Sequence, residues 1–205
     1  MPVRVKVCGI TSVEAAAQAA DAGADAIGLV FYPPSSRYVD DWVLARDIAL
    51  AAGPLTQVVG LFVNADTRFI EKALREVPIN TLQFHGDEAP EFCRQFSRPF
   101  IKALRMKAGL DVEIEAGRYA DARGILLDSY KAGVPGGTGE SFDWSRIPSD
   151  LPHVLLAGGL NPANVAEAVR QVRPYAVDVS GGVESAPGIK QPEKVAAFIR
   201  RAKAE

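Results

Sequence analysis

The sequence predicts a (β/α)8 barrel, and three observations carry the prediction. Short β-branched apolar runs alternate with longer Ala-, Glu- and Arg-rich stretches. The alternation repeats eight times in 205 residues with no linker or break in composition. Polar and glycine-rich clusters fall directly after the apolar runs. Such runs read as parallel strands buried on both faces, and the longer stretches as amphipathic helices. One domain over residues 1–205 is expected, at about 26 residues per unit, near the short end of the range for this fold. The alternative is an open doubly wound sheet, which would usually have fewer strands at this length.

The first strand is expected over 3–7 and ends in Cys8-Gly9; Thr11 or Ser12 can then cap a helix over 12–22. The second, over 26–31, is followed by Pro33-Pro34-Ser35-Ser36-Arg37 and a helix over 40–52. The third, over 57–63, ends in Val63-Asn64 and leads to a helix over 66–76. The fourth, over 81–84, is followed by His85-Gly86 and a helix over 89–96. The fifth, over 100–104, ends in Lys102 and Arg105, before a helix over 110–118. The sixth, over 124–127, ends in Asp128. Gly136-Gly137-Thr138-Gly139 follows, and 142–147 has room for only a turn or two. The seventh, over 153–157, ends in Gly158-Gly159-Leu160, before a helix over 161–172. The eighth, over 176–179, ends in Ser180-Gly181-Gly182-Val183-Glu184, and a last helix is expected over 193–202.

Composition excludes several function classes. The chain is 48% hydrophobic and 23% charged, with a net charge of −2 and no basic run, which argues against nucleic-acid binding. No apolar run approaches the ~18 residues of a membrane span. Cys8 and Cys93 are far apart and no secretory pattern precedes the first strand, so free thiols in a reducing cytoplasm are expected. His85 and His153 are the only histidines, and neither has a second ligand at metal-binding spacing. No metal site is therefore expected. The expected partner is a small phosphorylated molecule, and the chain is a monomer or a homodimer.

In a barrel the site forms at the C-terminal ends of the strands. Gly158-Gly159 and Ser180-Gly181-Gly182 follow the last two strands, where this fold usually binds phosphate. Glycine lets backbone N–H groups approach an anion closely. The bland alternative is a pair of tight turns. Gly136-Gly137-Thr138-Gly139 fits either a mobile loop or a segment that closes over a ligand.

Cys8 and Asp128 end strands on different sides of the mouth, which suits a base and an acid on opposite sides of one small substrate. A thiol titrates ordinarily near ~8.5, so a nearby cation must lower it for base chemistry. Strand alternation puts Lys6 on the same face as Cys8, one layer deeper. Cys8 could instead be a small buried hydrophobe, and Asp128 a loop anchor. His85 is either a site residue or a structural hydrogen-bonding group. Arg37, in a loop stiffened by two prolines, can grip a carboxylate with its fork of donors, or can simply be solvated. Cys93 reads as helix packing, and His153, at the opposite end of the barrel, is assigned no chemistry.

Taken together these segments resemble the phosphoribosylanthranilate isomerases, the third-step isomerases of tryptophan biosynthesis. The likeness rests on Lys6-Val7-Cys8-Gly9-Ile10-Thr11, Pro34-Ser35-Ser36-Arg37, Gly60-Leu61-Phe62-Val63-Asn64 and Leu82-Gln83-Phe84-His85-Gly86. It continues through Leu127-Asp128, Gly136-Gly137-Thr138-Gly139 with Phe142-Asp143-Trp144, Leu156-Ala157-Gly158-Gly159-Leu160, and Asp178-Val179-Ser180 through Glu184. Eight motifs in order, over nearly the whole chain, are highly specific.

The resemblance implies an Amadori rearrangement of an aminoaldose phosphate to a ketose. It implies Asp128 as the general acid on the furanose ring oxygen and Cys8 as the general base on the C2′ proton. It implies Arg37 as the contact to the anthranilate carboxylate. The backbone around Gly158, Gly159, Gly181 and Gly182, with Ser180, matches the family's phosphate cradle, and His85 lines the site. Two departures stand out. Ser180 is followed by Gly181 where the family often has a second serine. Gln191 stands where an acidic residue is usual, which bears on capping the last helix.

Three rival readings have distinct requirements. The related histidine-pathway isomerase and ribulose-phosphate epimerase use a carboxylate after the first strand, and the epimerase adds metal-binding histidines. A thiol hydrolase needs a histidine paired to Cys8, and leaves the phosphate loops unexplained. A non-catalytic barrel that only binds a phosphorylated metabolite is separated by assay alone.

Overall fold

A computed structural model of the chain describes residues 2–129 and 142–205. Eight parallel strands close into a barrel in sequence order: β1 (Arg4–Cys8), β2 (Ala26–Val30), β3 (Gln57–Phe62), β4 (Thr81–Phe84), β5 (Phe100–Arg105), β6 (Gly124–Asp128), β7 (Val154–Leu156) and β8 (Ala176–Val179). Closure comes from β1 pairing with β8, with Lys6 opposite Asp178 and Val7 opposite Val179. The outer layer is α1 (Val13–Asp21), α2 (Trp42–Ala51), α3 (Thr67–Glu76), α4 (Pro90–Arg94), α5 (Val112–Gly117), α6 (Val165–Val172) and α7 (Pro192–Lys203). The expected barrel is the observed one. The Gly136-Gly137-Thr138-Gly139 segment lies outside the described residues.

Strand alternation sorts the apolar side chains into two sets. Residues such as Val7, Ile27, Leu29, Phe62, Phe84, Leu127 and Val179 face the helices and form the main core. Ile101, Ala103, Leu126, Leu155, Ala157 and Ala176 form a separate cluster on the opposite strand faces, inside the barrel. The same inward parity carries Lys6 and Cys8 on β1, Gln83 on β4, Asp128 on β6 and Asp178 on β8. The barrel is thus apolar in its middle and polar at its C-terminal mouth.

Capping follows the sequence signals. The side chains of Ser12, Asp41, Asp66 and Asp111 each accept a hydrogen bond from the first turn of their helix. Gln191 precedes α7 and makes no side-chain cap, so Pro192 in the first turn has to start that helix. α6 starts at Val165 rather than near residue 161, because Asn161 and Asn164 bond to nearby backbone N–H groups and hold a turn there. A three-residue 3-10 turn, Trp144–Arg146, stands where only a turn or two was expected. His153 precedes β7 with φ 50 and packs edge-on against Tyr175. One feature was missed. After β8 come a 3-10 turn, Gly181–Val183, and a small hairpin of β9 (Glu184–Ala186) and β10 (Ile189–Lys190). Strands of three and two residues are too short to show a period.

Candidate active site

Polar or glycine residues at or just after the ends of β1, β2, β4, β6, β7 and β8 meet in one cavity at the C-terminal mouth. The apolar Leu61 and Val63 join them from the end of β3, whereas Lys102 and Arg105 of β5 do not line it. Cys8, Arg37, His85, Asp128, Gly158, Gly159, Ser180, Gly181 and Gly182 all line it, joined by Asp178. Every site residue expected from the sequence therefore falls in one place. Cys93 is buried in α4, outside this cavity.

Cys8 lies at the bottom of the mouth and is 4% exposed. Below it the Lys6 ammonium donates to Asp178 at 2.8 Å, both side chains being buried. Burial pushes the Cys8 thiol up from its ordinary value. A hydrogen bond and charge from Lys6 oppose this, Asp178 adds to the rise, and Lys190 opposes it. Lys6 acts in the sense that base chemistry requires, but desolvation outweighs it. Burial also works against the Lys6 ammonium, yet Asp178 and Cys8 more than compensate and Lys6 is raised.

Asp128 ends β6 on the other side of the cavity. One carboxylate oxygen accepts from the Ser129 backbone N–H at 2.9 Å, and the other lies 3.2 Å from His85 Nε2. Gln83, two residues before His85 on the same inward parity, contacts the other ring nitrogen at 2.9 Å. The loop carrying His85 is anchored from below. Glu88 accepts from the Gly86 and Asn64 N–H groups and pairs with Lys102 at 2.9 Å.

Arg37 enters from the β2–α2 loop. Its Nε and Nη2 form a two-point pair with Glu184 at 2.8 and 2.7 Å. The fork that the sequence reading left for a ligand carboxylate is thus engaged by the chain itself. Nη1 makes no hydrogen bond among the described residues and is the edge left for another anion. Glu184 also accepts from the Lys190 ammonium at 2.7 Å, which in turn donates to the Ser180 carbonyl. Burial works against the Glu184 carboxylate, but Arg37 and Lys190 outweigh it and hold it below the ordinary carboxylate range. Glu184, Lys190, Asp178 and Gln83 had no role in the sequence reading. Their inward or loop positions were visible, but their partners are far away in the chain.

Two glycines are required by space. Gly158 has φ +80, and a Cβ there would strike the Ser129 backbone N–H. A Cβ on Gly182 would land on the Leu160 carbonyl oxygen, so the loops after β7 and β8 pack backbone on backbone. Gly182→Ala is expected to force these loops apart and to destabilise the protein by about 1–3 kcal/mol, read as a lower denaturation midpoint at unchanged m-value. An unshifted midpoint would mean that the loops yield without cost.

The family model described as N-(5'phosphoribosyl)anthranilate (PRA) isomerase matches residues 5–201. The N-(5'-phosphoribosyl)anthranilate isomerase of Pseudomonas syringae pv. tomato is 59% identical over 198 residues, which cover 96% of each chain. The solved phosphoribosyl anthranilate isomerase of Thermotoga maritima has a TM-score of 0.87 and 40% identity, over 99% of this chain and 100% of that one. A further solved phosphoribosyl anthranilate isomerase, in complex with reduced 1-(o-carboxyphenylamino)-1-deoxyribulose 5-phosphate, has a TM-score of 0.84 and 39% identity. It covers 99% of this chain and 100% of its own.

Proposed function

Because the chain belongs to the N-(5'-phosphoribosyl)anthranilate isomerase family, we propose that its aldose-ketose isomerisation is an Amadori rearrangement run by Asp128 and Cys8. The observation that supports this most directly is the placement of a buried thiol and a buried carboxyl in one cavity whose rim is built from the glycine loops after β7 and β8. The chain is thereby an isomerase of tryptophan biosynthesis.

In this reading the substrate phosphate lies against the backbone of Gly158, Gly159, Gly181 and Gly182, with Ser180 beside it. Asp128 protonates the furanose ring oxygen. The ring opens to a protonated imine, which is an electron sink and makes the C2′ proton acidic. Cys8 removes that proton, and the resulting enolamine tautomerises to the ketone. The imine supplies the acidity, so the residues do the chemistry without a cofactor. The thiol is raised rather than lowered, so the base works from a minor thiolate fraction. The Lys6 ammonium keeps that fraction from falling further. His85 lines the site beside Asp128.

Arg37 is proposed to meet the anthranilate carboxylate through Nη1, with Glu184 fixing the rest of the guanidinium. A charge-assisted hydrogen bond of about 1.5–3 kcal/mol corresponds to about a tenfold to hundredfold change in binding. Arg37→Ala is therefore expected to raise KM by about that factor with a smaller effect on kcat. An unchanged KM would remove the assigned contact.

The direct test is to generate phosphoribosylanthranilate in situ and follow the decay of anthranilate fluorescence. Rapid decay with the chain, unaffected by a chelator, is the expected result. No decay with well-folded protein would leave a barrel that only binds a phosphorylated metabolite. The proposed compartment is a reducing cytoplasm, a reading supported by the two free, buried cysteines. Among the described residues no helix is long and apolar enough to cross a membrane.

A further inference from the structure

We propose that Gln83, His85 and Asp128 hold the acid's proton as one unit, in which the Gln83 amide turns to match the protonation of the His85 ring. The proposal rests on Asp128 being the general acid. Gln83 is fully buried, and His85 and Asp128 are 8% and 5% exposed. Gln83 Nε2 lies 2.9 Å from His85 Nδ1, and His85 Nε2 lies 3.2 Å from Asp128 Oδ2. Gln83 Oε1 is buried with no hydrogen-bond partner among the described residues. An unpaired buried carbonyl is costly, and such groups call for a reason.

A half-turn of the amide supplies one, because it exchanges a donor for an acceptor in the same place. With Nε2 toward the ring, Nδ1 must be bare, and the neutral imidazole donates Nε2–H to an Asp128 carboxylate. That is the acid after it has given up its proton. With Oε1 toward the ring, Nδ1 carries a hydrogen, and one further proton is shared between Nε2 and Oδ2. That is the acid ready to act. Delivery breaks the Asp128 O–H bond, passes that proton to the substrate ring oxygen, and leaves the electron pair on the carboxylate and one proton on the ring, at Nδ1. The ring then changes tautomer by exchange with solvent, losing a proton at Nδ1 and gaining one at Nε2 with no net change, and the amide turns with it. The two states thus differ by one proton, one ring tautomer and one amide turn, and Gln83 is the only group bonded to Nδ1 among the described residues.

Among the described residues the other charged neighbours make no hydrogen bond to the ring or to the Asp128 carboxylate. Arg105, from β5, donates to the His85 carbonyl and not to its ring. Lys102 and Glu88 bond to the Gly86 backbone and to each other. Cys8, Arg37 and Asp178 line the same cavity.

The chain has only two histidines, so ring-nitrogen NMR of histidine-labelled protein resolves His85, with His153→Gln to assign it. Gln83→Glu offers acceptors only and is expected to move the His85 titration up by about one pH unit or more. Gln83→Met fills the space with neither group and is expected to move it down by a similar amount. The limb of the kcat/KM profile that belongs to the acid should move the same way in each variant. A His85 titration unmoved by either change would overturn the proposal. So would equal activity losses at every pH, the mark of mere structural support. Near wild-type turnover in Asp128→Asn would instead remove the acid assignment, and is read separately from the ring titration.

Discussion

Cys8→Ser is expected to lower turnover by about 10³–10⁴-fold, equivalent to about 4–5.5 kcal/mol of barrier, while leaving the fold intact. The hydroxyl fits the same space, but it is far less acidic and cannot supply a base from a buried site. Single-turnover decay of anthranilate fluorescence measures the loss, and a thermal melt checks the fold. The thiol's direction also sets the pH dependence. The protonated form is favoured by burial, so the thiolate fraction grows as pH rises through the thiol's elevated titration. Alkylation of Cys8 by iodoacetamide should therefore be slow near neutral pH and accelerate in the alkaline range. Cys8→Ser is the blank, since Cys93 is also buried and pushed up to about 11. A serine variant within tenfold of wild type would remove the thiol from the mechanism.

Asp128→Asn should cost about 10²–10⁴-fold in both kcat and kcat/KM, with little change in KM. The amide keeps the shape and can still accept from the Ser129 N–H, but it has no acidic proton for the ring oxygen. It also turns an N–H₂ toward His85 Nε2, which favours the ring tautomer with hydrogen on Nδ1. The same variant thus reads both the acid and its connection to Gln83. A large rise in KM at unchanged kcat would show that Asp128 binds substrate and does not protonate it.

The barrel was legible because each strand carries its own evidence. The run Ile125-Leu126-Leu127, buried on both faces, reads as a central parallel strand wherever it is placed. Gly124 and Asp128 mark its ends. The site was legible for a related reason. Once the strands run parallel, the residues that end them share one rim, so Cys8, His85 and Asp128 meet without any knowledge of distance. Arg37 was legible as a site residue but not in its engagement, since the carboxylate that holds two of its donors lies 147 residues further along the chain.

By itself the sequence determined the order of strands, the inward parity of Lys6, Cys8, Gln83 and Asp128, and the glycine loops around the mouth. These follow from local rules: a period of two along a strand, and a backbone freedom that only glycine has. Tertiary structure alone decided the pairings. Closing β8 on β1 brings Asp178 to Lys6 across 172 residues, and the hairpin after β8 brings Glu184 to Arg37 and Lys190. It alone set the direction in which the Cys8 thiol moves. Burial, the charge of Lys6 two residues away, and two charges from distant segments, Asp178 and Lys190, act on one sulfur at once, and their balance depends on desolvation and distance, which no spacing along the chain encodes.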